Sequence, residues 1–338
     1  MFNGKNVLVA GGTGMIGRYL IELLNQKGAH IRVVAIDDES LAPEGVDYCK
    51  GDLTDKGVCL SACENMDYVF NLAGIKGSPK KTMEQPASFF VPMIQFSLNM
   101  MQAALLKKVR RFLFTSSVGV YHPDSILKED DVWKTFPSEN DRFAGWAKRM
   151  GELQADAYRI EYNWDQVVIV RPANVYGRYD TFEEIRGSMV IPSLIRRFVA
   201  GENPLTVWGT GESSRDFIHA KDVAQGMIHM MEVNPRVPVN LASGVGVTIK
   251  DLVSVITKIS GSNPEIVWDD SQHKGDNIRV LDISRAKSYG WIPTTSLQDG
   301  IKDTYEWYRD HRKRALSYNV FESASSYDVF DKRKSDVE

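Results

Sequence analysis

The sequence predicts an α/β protein built on a doubly wound parallel sheet, with a smaller mixed α/β region in its second half. Three observations carry this. Short apolar runs alternate with helical stretches six times between Asn6 and Arg171, the pattern of parallel strands joined by helical crossovers. The first unit, NVLVAGGTGMIG (Asn6 to Gly17), sets Gly11, Gly14 and Gly17 between a strand and a helix. The second strand ends on Asp37-Asp38, with Asp37 placed 20 residues beyond Gly17. Dinucleotide-binding folds place a ribose-binding acid there.

The elements follow in order. Val7 to Ala10 is a buried-type strand, and the helix after it carries apolar residues at Ile16, Leu20, Leu23 and Leu24 before Gly28. Gly11 permits the tight turn, Gly14 lets backbone N–H groups approach a pyrophosphate, and Gly17 brings helix and strand together. Met15 and Ile16 open that helix and count with the glycines as cofactor contacts. The second strand is His30 to Ile36, and Asp37, ahead of Asp38, is the ribose ligand. Its charge repels a 2′-phosphate and favours NAD over NADP. Val46 to Cys49 is a third strand, and Asp52 and Leu53 of GDLTD edge an adenine ring. Asp67 to Leu72 is the fourth strand, opening into Ala73-Gly74-Ile75, where small residues let a ligand approach, with Leu72, Ala73 and Gly74 counted as cofactor contacts. Gly77 to Pro86 is a loop, Ala87 to Lys107 a Met- and Phe-rich helix for core or subunit contact, and Phe112 to Phe114 a fifth strand ending in Thr115-Ser116-Ser117. Helix Arg142 to Tyr162 and strand Gln166 to Arg171 complete a Rossmann-like domain, mainly residues 1–175. Residues 176–312 mainly form the second region, although the chain can cross between the two. It holds helices at Met189 to Ala200, Asp222 to Glu232, Thr248 to Ser260 and Leu297 to Arg312, and strands at Leu205 to Trp208 and Ile266 to Trp268. Residues 313–338 read as a mobile tail.

The whole chain sets further bounds. Its 338 residues, 43% hydrophobic and 25% charged, have ordinary globular composition. A net charge of -3 gives no footprint for nucleic acid or anionic membranes. No segment approaches the ~20 apolar residues of a membrane helix, and the immediate first strand leaves no room for a signal peptide. Cys49, Cys59 and Cys63 read as unpaired thiols, and the six histidines fall at no metal spacing. A reducing cytoplasmic location without a metal is expected.

In this order the chain carries GxxGxxG, an acid after the second strand, GDLTD, NLAG, SSxxVY, a helical Lys148, RPxNVYG, and WGxGxxxRDFIHxxD. Together these motifs resemble the extended short-chain dehydrogenase/reductase family of nucleotide-sugar epimerases, dehydratases and reductases. The resemblance spans roughly residues 5–312. VIPSLIRRF, VWGTGESSRDFIHAKDVA and DISRAKSYGW bring it nearest to the GDP-L-fucose synthase branch and its GDP-sugar relatives. It implies hydride transfer at a sugar carbon, usually C4. A Tyr takes the hydroxyl proton there, a Lys four residues later lowers the Tyr pKa, and a Ser or Thr bonds the reacting oxygen. Ser117 and Lys148 match two of the three. The third is missing, because Ala144 stands four residues before Lys148. Either this is a Tyr-to-Ala variant made to trap a complex, or a natural relative that has lost catalysis. The intact remainder of the motifs favours the first.

Other departures narrow the chemistry. The branch's epimerising Cys and His positions hold Gly119 and Met189, and the dehydratase acid positions hold Val118 and Gly119. Neither C3/C5 epimerisation nor 4,6-dehydration then has its proton carriers. The expectation is an NAD-dependent 4-epimerase or 4-dehydrogenase of a GDP-sugar. The alternatives are an NADP-dependent 4-keto reductase and a non-catalytic dinucleotide-binding protein. The resemblance places Pro172 and Val175 at the nicotinamide carboxamide and Asn174 near sugar and pyrophosphate. It places Val190 and Trp208 at the base and Arg215 on the diphosphate, with Arg279 as a second phosphate or ribose ligand. A core role for Trp208 is an equal alternative, and an ion pair with Asp216 is a weaker one for Arg215. Arg196 and Arg197 read as a solvated helix face from which Arg196 reaches a phosphate; His219 and Asp222 read as structural. The resemblance also implies a homodimer bundled through residues 87–107 and 142–162.

Overall fold

The computed structural model describes residues 1–75, 84–182, 188–271 and 275–315. A seven-stranded parallel sheet runs in the order β10-β6-β5-β4-β1-β2-β3. Its strands are β1 (Asn6–Ala10), β2 (His30–Ala35), β3 (Asp47–Lys50), β4 (Tyr68–Asn71), β5 (Arg111–Thr115), β6 (Val167–Pro172) and β10 (Val239–Leu241). Strand faces alternate, as a pleat requires. In β1, Val7 and Val9 enter one core layer, and Leu8 and Ala10 enter the other. Helices α1 (Met15–Gln26) and α6 (Ala220–Val233) cover the first face and pack on each other. Helices α2 (Lys56–Ala62), α3 (Pro86–Leu106) and α4 (Arg142–Tyr162) cover the second.

Six strands lie where the apolar runs predict, with small shifts at their ends. The seventh, β10, comes from the second half. It pairs in parallel with β6 through Val239, Asn240 and Leu241, so residues 220–241 serve the first sheet. Its three residues are too few to show a period in sequence. A second, four-stranded sheet carries β7 (Asn174–Tyr176), β9 (Ser214–His219), β11 (Gly246–Thr248) and β13 (Ile278–Arg279). Strand β9 lies inside the WGxGxxxRDFIHxxD motif, whose mixed polar start hides the strand alternation. Helices α5 (Val190–Val199), α7 (Ile249–Ser260) and α9 (Leu297–Ala315) enclose a third core with the pair β8 (Leu205–Trp208) and β12 (Ile266–Asp269). A short α8 (Ser284–Ser288) packs beside β10. Helix α9 runs past Arg312, the end expected from its periodicity, with non-helical backbone at His311. The expected loop Gly77 to Pro86 lies largely, and the tail from residue 316 wholly, outside the described residues.

One bound needs correction. Helix α3 is long and apolar enough to cross a membrane by length and composition. Half of that window is buried, packed against α2 and α4, which is how a core helix passes the same test. Cys59 and Cys63 are buried free thiols, both pushed up to about 12, chiefly by burial.

Helix α4 is fixed to the sheet by charge as well as packing. Glu152 Oε1 accepts from Arg171 Nε at 2.9 Å and Glu152 Oε2 from Arg171 Nη2 at 2.6 Å. Both side chains are 1% exposed. Ser116 Oγ also donates to Glu152 Oε1 at 2.5 Å. Arg171 Nη1 reaches Tyr121 Oη at 3.1 Å and the Glu129 carbonyl at 2.9 Å. Removing one partner of such a buried pair strands the other charge, at a cost of about 3–5 kcal/mol. Glu152→Ala is expected to lower unfolding stability by that amount in urea titration, while Glu161→Ala, at the exposed end of the same helix, stays within about 0.5 kcal/mol. Equal small losses would mean that the pair does not secure α4.

Candidate functional site at the carboxyl ends of the sheet

The glycine turn is built for close approach. Gly11 has φ +74° and leads to α1, whose N-cap is Gly14, with no side-chain cap and no acid in the first turn. A Cβ on Gly17 would lie 2.6 Å from the Gly12 backbone, so only glycine lets α1 sit on β1. A Cβ on Gly11 would meet Ala73 at 3.1 Å, which places the ends of β1 and β4 side by side. Leu72 N donates to the Ala10 carbonyl at 3.0 Å, and Gly74 follows. The first-turn N–H groups of α1 have no side-chain cap, the arrangement by which helix N-termini can hold an anion. Met15 and Ile16 in that turn pack on the first core.

Asp37 and Asp38 separate in role. Asp37 is 5% exposed and accepts a short hydrogen bond from Thr13 Oγ1 in the glycine turn. Tyr48 Oη donates to its backbone carbonyl at 2.6 Å. Burial raises its carboxyl pKa, and the Thr13 bond opposes the rise. Asp38 is exposed and caps its own turn, accepting from Ser40 N at 3.0 Å. Asp52 likewise turns onto Thr54, accepting from its N and Oγ1 at 2.8 Å, and Leu53 is buried in the second core. Sequence reading missed Arg18, which donates to the Thr13 carbonyl at 2.9 Å and lies over the Tyr179 ring at 4.8 Å.

At the end of β5, Ser117 Oγ accepts from Gly119 N at 3.0 Å. Lys148 Nζ donates to the Thr115 carbonyl at 2.8 Å and lies over the Phe114 ring. Burial pulls its ammonium down to about 8. The Thr115 hydroxyl is buried without a hydrogen-bond partner. Ala144 is half-buried against the second core, on the face of α4 that carries Lys148. Its neighbour Gly145 sets the contact between α4 and the Ser117–Gly119 turn, since a Cβ there would lie 2.2 Å from the Gly119 carbonyl. The orphaned Thr115 hydroxyl, the uncapped α1 and the glycine cradle fit a dinucleotide lying along the strand ends.

On the other wall, Asn174 Nδ2 donates to the Asp216 carbonyl at 2.9 Å, joining β7 to β9. Pro172 ends β6 and Val175 packs on the first core. Arg215 Nη1 donates to the carbonyls of Ser214 at 2.9 Å and Asn277 at 3.4 Å. Burial, and then the nearby Arg279, lower Arg215 to about 10. The ion-pair alternative for Arg215 fails: Asp216 is fully buried and accepts instead from Ser243 N and Oγ, Gly244 N and Leu281 N. Consecutive strand residues face opposite ways, so the two never meet. Arg279 is ion-paired with Asp276 and Asp141. Asp222 holds Thr294 and Thr295, and His219 Nδ1 caps α6. Val190 opens α5 at the third core, and Arg196 lies half-buried on the same helix. Trp208 is 61% exposed, which removes the core alternative for it.

The sequence model of the NAD dependent epimerase/dehydratase family matches residues 7–242. GDP-L-fucose synthase 1 of Arabidopsis thaliana is 30% identical over 89% of this chain and 92% of its own length. GDP-L-fucose synthase of Escherichia coli K12 is 29% identical over 92% and 98%. Among solved structures, a UDP-glucose 4-epimerase from Thermotoga maritima superposes with a TM-score of 0.82 at 26% identity, over 91% of this chain and 99% of that one. The glycine turn, the seven parallel strands and the match over most of the chain lead to one conclusion: this protein belongs to the NAD-dependent epimerase/dehydratase family of nucleotide-sugar enzymes.

Proposed function

We propose that the chain is an NAD-linked enzyme of a GDP-sugar acting at C4, as 4-epimerase or 4-dehydrogenase, whose proton-transfer position is vacated by Ala144. The observation that carries this is the packing of α4, which bears Ala144 and Lys148, on the end of β5, where Lys148 Nζ bonds the Thr115 carbonyl and Gly145 touches the Ser117–Gly119 turn. Bound NAD(P) would supply a hydride acceptor. Gly11, Gly14, Met15, Ile16 and Gly17 would hold its phosphates, Asp37 its adenosine ribose, Leu72 to Gly74 its middle, and Lys148, Pro172 and Val175 its nicotinamide end. The Ser117 oxygen accepts from Gly119, so its own proton is free to reach a sugar oxygen. Lys148 spends one proton on Thr115 and keeps two for ribose. Arg215 faces the diphosphate, and Asn174, Val190, Arg196 and Trp208 line the remaining nucleotide-sugar contacts. Asp37 supports NAD over NADP.

A second reading is an NADP-dependent 4-keto reductase, which the GDP-L-fucose synthase relatives favour. A homodimer through α3 and α4 is supported by exposed Val91, Leu98, Leu106, Leu153 and Ile160 on those helices. Free thiols support a reducing, cytoplasmic setting.

Two outcomes are expected. Ala144→Tyr should raise turnover of GDP- or UDP-sugars by roughly 10²- to 10⁴-fold, read as NADH absorbance and product stereochemistry. An inactive Tyr variant that binds NAD but no sugar nucleotide would instead mark a dinucleotide sensor. Lys148 gives a pH signature without ligand. In the unfolded chain it stays protonated to about pH 10.4, against about 8 when folded. The unfolded state therefore binds more protons across that window, and stability rises with pH through it. Urea midpoints at pH 7.5 and 9.5 should rise in the unsubstituted chain relative to Lys148→Met, a difference that cancels the opposing response of the buried Cys59 and Cys63 thiols common to both. The same pH response in both would remove the buried ammonium from the account.

A further inference from the structure

Arg215 and Arg279 are register partners on the adjacent parallel strands β9 and β13. Like charges side by side on one face repel, and burial sharpens the repulsion. The structure compensates on one side only. Arg279 holds two carboxylates, Asp276 and Asp141; among the described residues Arg215 bonds only carbonyls.

The two acids are held differently. Asp276 has a side chain 7% exposed. It accepts from Ser138 Oγ at 2.8 Å, Asn140 Nδ2 at 2.7 Å, and Arg279 Nε and Nη2 at 2.7 and 2.5 Å. It is a permanent counter-ion. Asp141 is 27% exposed at the N-cap of α4, yet its side chain caps no N–H. Its Oδ2 meets Arg279 Nη2 in a close ion pair, but among the described residues no other donor holds its carboxylate, where Asp276 has Ser138 and Asn140 as well. It also has room to move. A Cβ on Gly119 would lie 3.4 Å from Asp141 Cβ, 3.6 Å from its Cγ and 3.5 Å from Ser117 Oγ. Glycine leaves that space open.

Resting on the nucleotide-sugar reading above, we propose that Asp141 is an internal counter-anion that the phosphate of a nucleoside diphosphate displaces from Arg279. Two guanidiniums and two carboxylates already cancel. A diphosphate adds at least two negative charges, and the cluster accommodates them by releasing toward Gly119 and Ser117 the acid that the Arg279 guanidinium alone holds. Asp141 thereby sets the affinity of the arginine pair for diphosphates, because ligand binds only the fraction of molecules in which Arg279 is free. The shift occurs one helical turn before Ala144, so occupancy of the phosphate site is felt at the start of the helix that carries Lys148.

Calorimetry on the full chain tests this with GDP, UDP and guanosine. Asp141→Asn should tighten the diphosphate that binds by about tenfold and leave guanosine unchanged. Unchanged or weaker diphosphate binding by Asp141→Asn overturns the proposal and leaves the nucleotide-sugar reading standing. Binding of neither GDP nor UDP to either form overturns both. A crystal structure of the unsubstituted chain with the bound diphosphate needs no variant. Asp141 off Arg279 is expected, and Asp141 still paired there beside bound phosphates contradicts displacement.

Discussion

The buried pair between Glu152 and Arg171 holds together everything the site needs. Glu152 belongs to α4, four residues beyond Lys148, and Arg171 to β6, one residue before Pro172. Their contact draws in Ser116 at the end of β5 and, through Tyr121, Asn240 of β10, which accepts the Tyr121 hydroxyl at 2.5 Å. Helix α4 and three neighbouring strands thus share one charged node. Apolar packing could dock α4 on the sheet, but it would leave register loose. A bidentate guanidinium–carboxylate contact fixes both height and rotation, and so fixes where Lys148 and Ala144 stand relative to Ser117. Gly145 completes the constraint by letting the helix touch the Gly119 backbone.

The second half of the chain faces this node with positive charge. Strand β9 sets Arg215 beside Arg279 on one face and buries Asp216 on the other, where four donors hold the carboxylate. That alternation separates a cation from a structural anion in consecutive residues. Arg279 lies beside Arg215 in register, and the acids on it come from two directions: Asp276 from its own segment and Asp141 from the start of α4. The second sheet and the start of α4 are therefore joined by the ion pair between Arg279 and Asp141.

Much of this was legible in the sequence, because it rests on local periodicity. Strand, glycine turn and helix announce themselves in NVLVAGGTGMIG, and six strands and the exact span of Arg142 to Tyr162 follow from apolar spacing. What escaped depends on distant partners. Glu152 and Arg171 each read as an ordinary charge, since nothing local marks two residues 19 apart as a buried pair. Strand β10 is three residues long, below the length at which alternation speaks. The apolar content of α3 was underestimated because its Met, Phe and Leu residues are broken by Ser, Gln and Asn. Asp141 drew no notice because its meaning comes from Arg279, far along the chain. Ala144 was the reverse case: a small residue made informative by Lys148 four positions later.

The central claim is that one chain carries two adjoining anion-binding walls, a glycine cradle at β1 for a dinucleotide and an arginine pair on β9 and β13 for a nucleoside diphosphate. Titrating NAD first, then GDP into the NAD-saturated chain, in one calorimeter cell tests this most directly. The account predicts two one-to-one events, with GDP binding to the NAD-loaded protein and NAD retained. Displacement of NAD by GDP, with a single shared site, would contradict it.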